Sequence, residues 1–104
     1  MKNLEQKQWV DGLQNSDDSV VLDVRTPEEF EEGNIKDAKL INIQNPENFM
    51  NEIEKLDKSK SYYVYCRSGR RSEMACQIME KSGFDHAYNL IGGILDWTGE
   101  VETK

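Results

Sequence analysis

The order of apolar and polar positions along the chain predicts short strands separated by helices. Four mostly apolar runs stand out: SVVLDV (residues 19–24), KLINI (39–43), YYVYC (62–66) and AYNL (87–90). Continuous apolar runs of this length are typical of strands that are covered on both faces, as in a parallel sheet. We therefore expect four strands in one buried, parallel sheet.

Capping and turn residues mark two of the helices. In TPEEFEEG, Thr26 is the expected N-cap and Pro27 the first helical residue. Glu29 completes a capping box with Thr26, and Gly33 ends the helix. In NPENFMNEIEKL, Asn45 is the expected N-cap, and apolar residues follow it at helical spacing.

Three further segments complete the predicted α/β fold. Apolar residues share one helical face of the stretch that begins at Ser72 and stops at Gly83. Residues 4–15 have the pattern of another helix, and GGILDWTGEV (92–101) is expected to form a loop and then a short final helix. Strands that alternate with helices predict a central parallel sheet with helices on both faces, a three-layer α/β/α arrangement.

Length and charge narrow the classes of function. The chain has 104 residues, 37% of them hydrophobic and 32% charged, which fits one globular domain over residues 1–104. Its formal net charge of −7 argues against non-specific binding to nucleic acid or to an anionic membrane. No apolar segment approaches the length of a membrane span, and the charged N-terminus lacks the apolar core of a signal peptide. We therefore expect a cytoplasmic protein.

Cysteine and histidine are too scarce for several kinds of site. The two cysteines do not suffice for a disulfide scaffold, and no His or Cys cluster has the spacing of zinc ligands. His86 is the only histidine, which makes a Ser-His-Asp triad a poor hypothesis, and we expect it on the surface. We expect neither a metal ion nor an organic cofactor.

The scarce arginines are concentrated beside one cysteine. The chain has four arginines, and three of them follow Cys66 directly, in the sequence RSGRR. Cys66 ends a predicted strand and Ser72 begins a predicted helix, which is where open α/β sheets bind ligands. The turn between them contains Gly69, and its successive N–H groups are able to form an anion-binding nest at the helix N-terminus.

This setting predicts a reactive thiolate. The N–H groups, the positive end of the helix and the guanidinium groups all favour the ionised form of Cys66 over the thiol. We predict that Cys66 is ionised at neutral pH and acts as a nucleophile. On the residues alone, the alternative is a buried strand-end thiol whose neighbouring arginines point into solvent.

Three motifs together resemble the single-domain rhodanese, or sulfurtransferase, family. CRSGRRS is similar to the active-site loop of that family, in which the cysteine opens a six-residue loop, here Cys66 to Arg71. LDVRTPEEFEEGNI (22–35) is similar to the N-terminal signature of the family, and GGILDW (92–97) to its C-terminal Gly-Gly-x-x-x-Trp element. The resemblance covers nearly the whole chain and implies the rhodanese fold.

The resemblance implies sulfur transfer through a cysteine persulfide. The Cys66 thiolate attacks the outer sulfur of thiosulfate or of a persulfide donor, and a thiol, cyanide or a sulfur-carrier protein then accepts that sulfur. Arg67 and Arg71 are expected to bind the anionic donor, because a planar guanidinium matches the oxygens of a sulfonate, whereas Arg70 is expected to face outward. The candidate substrate-binding residues are Arg67, Ser68, Gly69, Arg70, Arg71 and Ser72, with Arg70 expected to steer donors or an acidic partner from the surface of the loop.

Other polar residues have a structural interpretation. The chain departs from the family signature at Asn34, where the family has histidine, and at Asp37, where it has glycine. Asp23 and Arg25 are expected to hold a turn at the end of their strand through hydrogen bonds. Cys76 is expected to be a half-buried helical thiol, with a redox role as the less favoured alternative.

The remaining motif residues are expected to support the site. Gly92 and Gly93 suit a tight turn beside the active loop. Trp97 and the tyrosines of the strand 62–66 are expected to pack in the core, and the acidic run EEFEEG is expected to form a solvated helix face.

Two other functions stay open. Cysteine phosphatases and arsenate reductases also place a thiolate in an anion-binding loop, but the phosphatases require Cys-x5-Arg, and position 72 is serine while Arg71 comes one residue too early. The shorter loop suits a lone sulfur better than a phosphate. The second alternative is a non-catalytic, regulatory protein-binding module, since a fold does not by itself imply a function.

Overall fold

A five-stranded sheet forms the centre of the computed structural model, which describes residues 1–103. All its neighbouring strands are parallel, and their spatial order is β1-β6-β5-β2-β4. A two-stranded antiparallel sheet pairs β3 with β7. The strands are β1 (Lys2–Leu4), β2 (Ser19–Asp23), β3 (Asn34–Ile35), β4 (Lys39–Leu40), β5 (Ser61–Tyr65), β6 (His86–Leu90) and β7 (Val101–Glu102). The predicted parallel sheet is confirmed.

Helices cover both faces of the central sheet. They are α1 (Gln6–Gln14), α2 (Pro27–Glu32), α3 (Pro46–Glu54) and α4 (Arg70–Lys81), with a 3-10 helix at Ile94–Asp96. The buried side chains of α3 and α4 share one core with Val64, whereas Trp9 of α1 packs in a second core on the other face. None of the described helices is long and apolar enough to cross a membrane.

The strand β5 shows why its sequence is apolar without a break. Tyr62 and Val64 lie in the core beside α3 and α4, whereas Tyr63 and Tyr65 lie in the core around Trp9. Trp9 meets Tyr63 edge to face, with ring centroids 5.8 Å apart. Both faces of β5 are therefore buried, and the expected core packing of the tyrosines is confirmed.

The predicted helix caps are also present. The Glu29 N–H donates to Thr26 Oγ1 at 3.3 Å, and the Thr26 N–H donates to Glu29 Oε1 at 3.1 Å, which completes the capping box. Asn45 Oδ1 accepts from the N–H of Asn48 at 3.3 Å. Local hydrogen bonds thus fix the starts of α2 and α3, as their sequences predict.

Some predicted elements have different boundaries. The helix expected to begin at Ser72 begins at Arg70, because Gly69, with φ of +103°, turns the chain directly into α4. The strand expected over 39–43 covers only Lys39–Leu40. Beyond its end, Ile41 and Ile43 are buried, and their N–H groups donate to the carbonyl oxygens of Asp23 and Val24 at 2.9 and 3.1 Å, so the apolar segment continues alongside the end of β2.

The elements at the two ends of the chain differ more strongly from those predicted from the sequence. The helix predicted over residues 4–15 is shorter, Gln6–Gln14, and β1 before it was not predicted. The expected final helix is only the 3-10 helix at Ile94–Asp96, and the chain then forms β7. β7 exists because it pairs with β3, and a pairing between segments so far apart leaves no local pattern in the sequence.

The two departures from the family signature lie next to this small sheet. Asn34 is buried in β3, and its Nδ2 donates to the carbonyl oxygen of Phe30 at 3.0 Å. Asp37 has φ of +64°, in the left-handed region that favours glycine. The aspartate therefore adopts, where the family signature has glycine, a backbone geometry that glycine adopts at lower cost.

Candidate active site

Cys66 lies where the sequence places it, directly after β5 and at the carboxyl end of the sheet. Its sulfur accepts the N–H of Gly69 at 3.1 Å and the hydroxyl of Ser72 at 3.3 Å. The sulfur thus points into the turn that leads to α4. The residue is only 1% exposed, so the loop also encloses it.

Hydrogen bonds in this loop favour the thiolate. Burial by itself raises the pKa of the Cys66 thiol, but hydrogen bonds from the loop lower it by more, so the pKa lies below its ordinary value. The donors are the Ser72 hydroxyl and the backbone N–H groups of Ser72, Gly69 and Ser68. The main contributions therefore come from the cup of N–H groups and from Ser72, not from the guanidinium groups that drew attention in the sequence.

The turn that contains Gly92 and Gly93 packs against the active loop and is hydrogen-bonded to it. The N–H of Ile94 donates to the carbonyl oxygen of Cys66, and the N–H of Leu95 to that of Arg67, each at 2.9 Å. Gly93 has φ of +59°, and a Cβ there would lie 2.6 Å from the carbonyl oxygen of Cys66. Only glycine allows this approach, which confirms the expected tight turn beside the active loop.

Asn89 of β6 also supports the loop, a role that was not predicted from the sequence. Its side chain is buried, and Nδ2 donates to the carbonyl oxygen of Gly69 at 3.1 Å and to Asn3 Oδ1 at 2.9 Å. The bond to Gly69 ties the turn around the sulfur to the neighbouring strand. A polar residue inside an apolar strand is the feature that points to such a role.

The three loop arginines have different surroundings. Arg71 is half-buried and forms a bidentate ion pair with Glu29, with N–O distances of 2.7 and 2.9 Å. This pair lowers the pKa of Glu29 to about 2. Arg67 is exposed and takes part in none of the ion pairs among residues 1–103. Arg70 is exposed and lines a separate groove on α4 with Met74.

A pocket of about 450 Å³ lies beside the loop. Its walls come from the end of β2, from α2, from the loop and from the 3-10 helix: Arg25, Glu29, Glu32, Arg67, Ile94 and Leu95. Of these residues, the sequence analysis assigned only Arg67 to the site. The expected solvated face of EEFEEG is wrong for Glu29, which is half-buried and paired with Arg71, whereas Glu32, three residues on, is exposed as expected and also borders the pocket.

Asp23 and Arg25 form a buried pair that shapes one wall of this pocket. Arg25 Nη2 donates to Asp23 Oδ2 at 2.6 Å and to the carbonyl oxygen of Gly33 at 2.7 Å. The hydroxyl of Tyr65 donates to Asp23 Oδ2 at 2.6 Å and accepts the N–H of Ile35 at 3.0 Å. The expected structural role of the pair is confirmed.

The other candidate residues are not part of the loop around the Cys66 sulfur. Cys76 is fully buried rather than half-buried, and burial raises its pKa to about 12, which keeps it a thiol. His86 is exposed at the start of β6, as expected. Trp97 is half-buried and packs against Trp9, with ring centroids 5.7 Å apart. Among residues 1–103, no group of three or more His, Cys, Asp or Glu side chains is arranged to hold a metal ion.

Comparison with known families agrees with this geometry. The profile of the rhodanese-like domain matches residues 6–100. The chain belongs to the rhodanese-like domain family. Of the motifs that carried the resemblance in the sequence, the loop and the double-glycine element contact Cys66, and Arg25 of the LDVR segment lines the pocket beside the loop.

Relatives of this rhodanese-like chain include proteins named for sulfur transfer. It is 42% identical over 97 residues to the putative sulfur carrier protein YrkF of Bacillus subtilis, covering 92% of this chain and 49% of that protein. It is 35% identical over 86 residues to a sulfurtransferase of Allochromatium vinosum, covering 82% and 77% of the two chains. The chain thus spans about half the length of the Bacillus protein.

A solved structure shares the fold over the whole length. The crystal structure of a rhodanese-like domain protein from Staphylococcus aureus superposes with a TM-score of 0.84 at 31% identity, and the match covers 100% of this chain and 99% of that one. The predicted rhodanese fold is confirmed.

Proposed function

We propose that this protein is a sulfurtransferase that carries a transferable sulfur on Cys66 as a persulfide. The observation that carries the proposal is the pair of hydrogen bonds to the sulfur, from Gly69 N–H at 3.1 Å and from the Ser72 hydroxyl at 3.3 Å. They stabilise a thiolate, which is the nucleophilic form of cysteine. The names of two relatives, a sulfurtransferase and a putative sulfur carrier protein, point in the same direction.

The proposed reaction has two displacement steps. The Cys66 thiolate attacks the outer sulfur of thiosulfate or of an organic persulfide, the sulfur–sulfur bond of the donor breaks, and sulfite or a thiolate leaves. The negatively charged outer sulfur of the new persulfide is held by the N–H groups of the loop. A thiol, cyanide or a sulfur-carrier protein then attacks that outer sulfur and releases the Cys66 thiolate.

The loop side chains have separate roles in this proposal. Arg67 and Arg71 bind the anionic donor, and Ser68, Gly69 and Ser72 hold the reacting sulfurs. Arg67 is exposed beside the pocket, whereas Arg71 is already paired with Glu29. Because Cys66 is only 1% exposed, this reaction requires the loop to open for a donor to reach the sulfur.

One observation favours a second candidate. The near-complete burial of Cys66 is the state expected of a regulatory module that binds proteins and does not react with donors. A phosphatase has less support, because the hydroxyl of Ser72 contacts the sulfur at the position where Cys-x5-Arg enzymes have a guanidinium.

Mass spectrometry separates these functions. The wild type and Cys66→Ser are incubated with thiosulfate, and separately with a persulfide donor, and then weighed intact. The sulfurtransferase gains one sulfur atom on Cys66, loses it to cyanide as thiocyanate, and the variant does neither. Cys76→Ala is the matched control and loads sulfur normally, because burial raises the pKa of the Cys76 thiol and keeps it from acting as a nucleophile. An intact thiol after both donors supports the binding module, and Cys66-dependent hydrolysis of a chromogenic phosphate ester supports the phosphatase.

A further inference from the structure

The charges around the pocket are largely neutralised within the protein. Arg25 is paired with the buried carboxylate of Asp23, and Arg71 is paired with Glu29. Within the described residues, Arg67 is the one cation of the pocket wall that takes part in no ion pair. Of the three loop arginines, Arg71 is paired with Glu29 and Arg70 lines a separate groove, so the pocket presents one unpaired guanidinium, that of Arg67.

The pocket also presents a free negative charge. Glu32 lies on the wall of the pocket, is exposed, and forms no ion pair within residues 1–103. A carboxylate at this position repels a dianion and attracts an ammonium group. Arg67 and Glu32 thus place opposite charges in one pocket. A donor that carries both a positive and a negative group complements these charges better than the dianion thiosulfate does.

The size and lining of the pocket agree with an organic donor. A volume of about 450 Å³ is in the range of sites that bind organic molecules, and it exceeds what thiosulfate occupies. Ile94 and Leu95 supply an apolar wall, and Leu95 is 63% exposed. Such a wall contacts methylene groups, which thiosulfate does not have.

We propose that the preferred sulfur donor is a small organic persulfide that carries both a carboxylate and an ammonium group. Arg67 binds the carboxylate, and Glu32 binds the ammonium and disfavours dianions, so Glu32 is a specificity-determining residue. This inference rests on the proposed sulfurtransferase function. In the reaction, the Cys66 thiolate forms a bond to the outer sulfur of R–S–SH, the sulfur–sulfur bond of the donor breaks, and R–S⁻ leaves with the electron pair of that bond, so the step needs no external oxidant or reductant.

Three donors and two variants test the proposal. The donors are thiosulfate, cysteine persulfide, and the persulfide of 3-mercaptopropionic acid, which lacks the ammonium group. The variants are Glu32→Gln and Glu31→Gln. Glu31 is exposed on the same helix and does not line the pocket, so its variant removes an equal charge elsewhere. The readout is the rate constant for sulfur loading of Cys66, followed by mass spectrometry.

The wild type is expected to load sulfur fastest from cysteine persulfide. In Glu32→Gln, the rate constant with cysteine persulfide falls by about twofold to fivefold and that with thiosulfate rises by about twofold to fivefold, the size expected for one exposed charge pair. The rate with the donor that lacks an ammonium does not fall, and Glu31→Gln keeps the ratios of the wild type.

The possible failures are distinct. If Cys66 loads sulfur from all three donors but Glu32→Gln leaves their ratios unchanged, the assignment of Glu32 is wrong and the sulfurtransferase function stands. A wild type that prefers thiosulfate over both persulfides contradicts the proposed donor class as well. If no donor loads Cys66, the sulfurtransferase function itself fails, and the inference fails with it.

Discussion

Replacing Ser72 with alanine tests how the loop holds its thiolate. The substitution removes the hydroxyl that donates to the Cys66 sulfur at 3.3 Å and leaves the backbone N–H groups in place. A hydrogen bond to a charged group contributes about 1.5–3 kcal/mol, and the length of this one favours the lower end, about 1.5 kcal/mol. Since about 1.4 kcal/mol is a tenfold change in an equilibrium, the fraction of thiolate at low pH falls by about tenfold in Ser72→Ala.

The assay is the rate of alkylation by iodoacetamide as a function of pH, because only the thiolate reacts. In both proteins the rate rises with pH to a plateau, and in Ser72→Ala the rise lies at higher pH. At pH values below this rise, the alkylation rate of Ser72→Ala is about tenfold lower than that of the wild type, and at the high-pH plateau the two rates converge. Ser82→Ala, the same substitution at the other end of α4, keeps the wild-type profile. A profile of Ser72→Ala equal to that of Ser82→Ala would refute the role of the hydroxyl.

Three further changes have defined outcomes. Because the pKa of Glu29 is lowered from 4.5 to about 2 by Arg71, its ion pair stabilises the fold fully above pH 4.5 and loses this effect as the pH falls to about 2. Urea unfolding of wild type and Glu29→Gln should therefore differ most above pH 4.5, and a difference that stays constant down to pH 2 contradicts the assignment. Gly93→Ala places a Cβ 2.6 Å from the Cys66 carbonyl oxygen at a left-handed φ, so it lowers the free energy of unfolding by about 1–3 kcal/mol and slows sulfur loading; unchanged values of both would show that the turn adapts. Asp37→Gly relieves a φ of +64° and raises the free energy of unfolding by up to about 1 kcal/mol, measured by the same unfolding curves, and a lower value would show that the aspartate is not strained.

The features that the sequence predicted are those with a local cause. The strand β5 is buried on both faces, and its unbroken apolar run shows this directly. The capping box of Thr26 and Glu29 is a contact between residues three apart, so it is visible in the sequence. The same holds for the turn that contains Gly69, where a strand, a glycine and a helix start follow one another along the chain.

The features that were not predicted from the sequence depend on contacts between distant segments. β3 and β7 pair across the chain, and neither has a pattern of its own. Glu29 was interpreted as part of a solvated acidic face. It instead forms an ion pair with Arg71, 42 positions later, so the guanidinium of Arg71 is already neutralised within the protein. An arginine count near a cysteine therefore overestimates the positive charge that a ligand meets, because the partners of the arginines come from another part of the chain.

The ionisation of Cys66 is the claim on which the account depends most directly. The measurement is a pH titration of the ultraviolet absorbance of the thiolate in the wild type, with Cys66→Ser subtracted to remove the signals of tyrosine and Cys76. We expect a transition with its midpoint below 9.0, the ordinary value for the thiol, since the loop hydrogen bonds lower the pKa of Cys66. A midpoint at or above 9.0 would contradict the stabilisation of the thiolate by the loop hydrogen bonds and, with it, the proposed sulfur transfer.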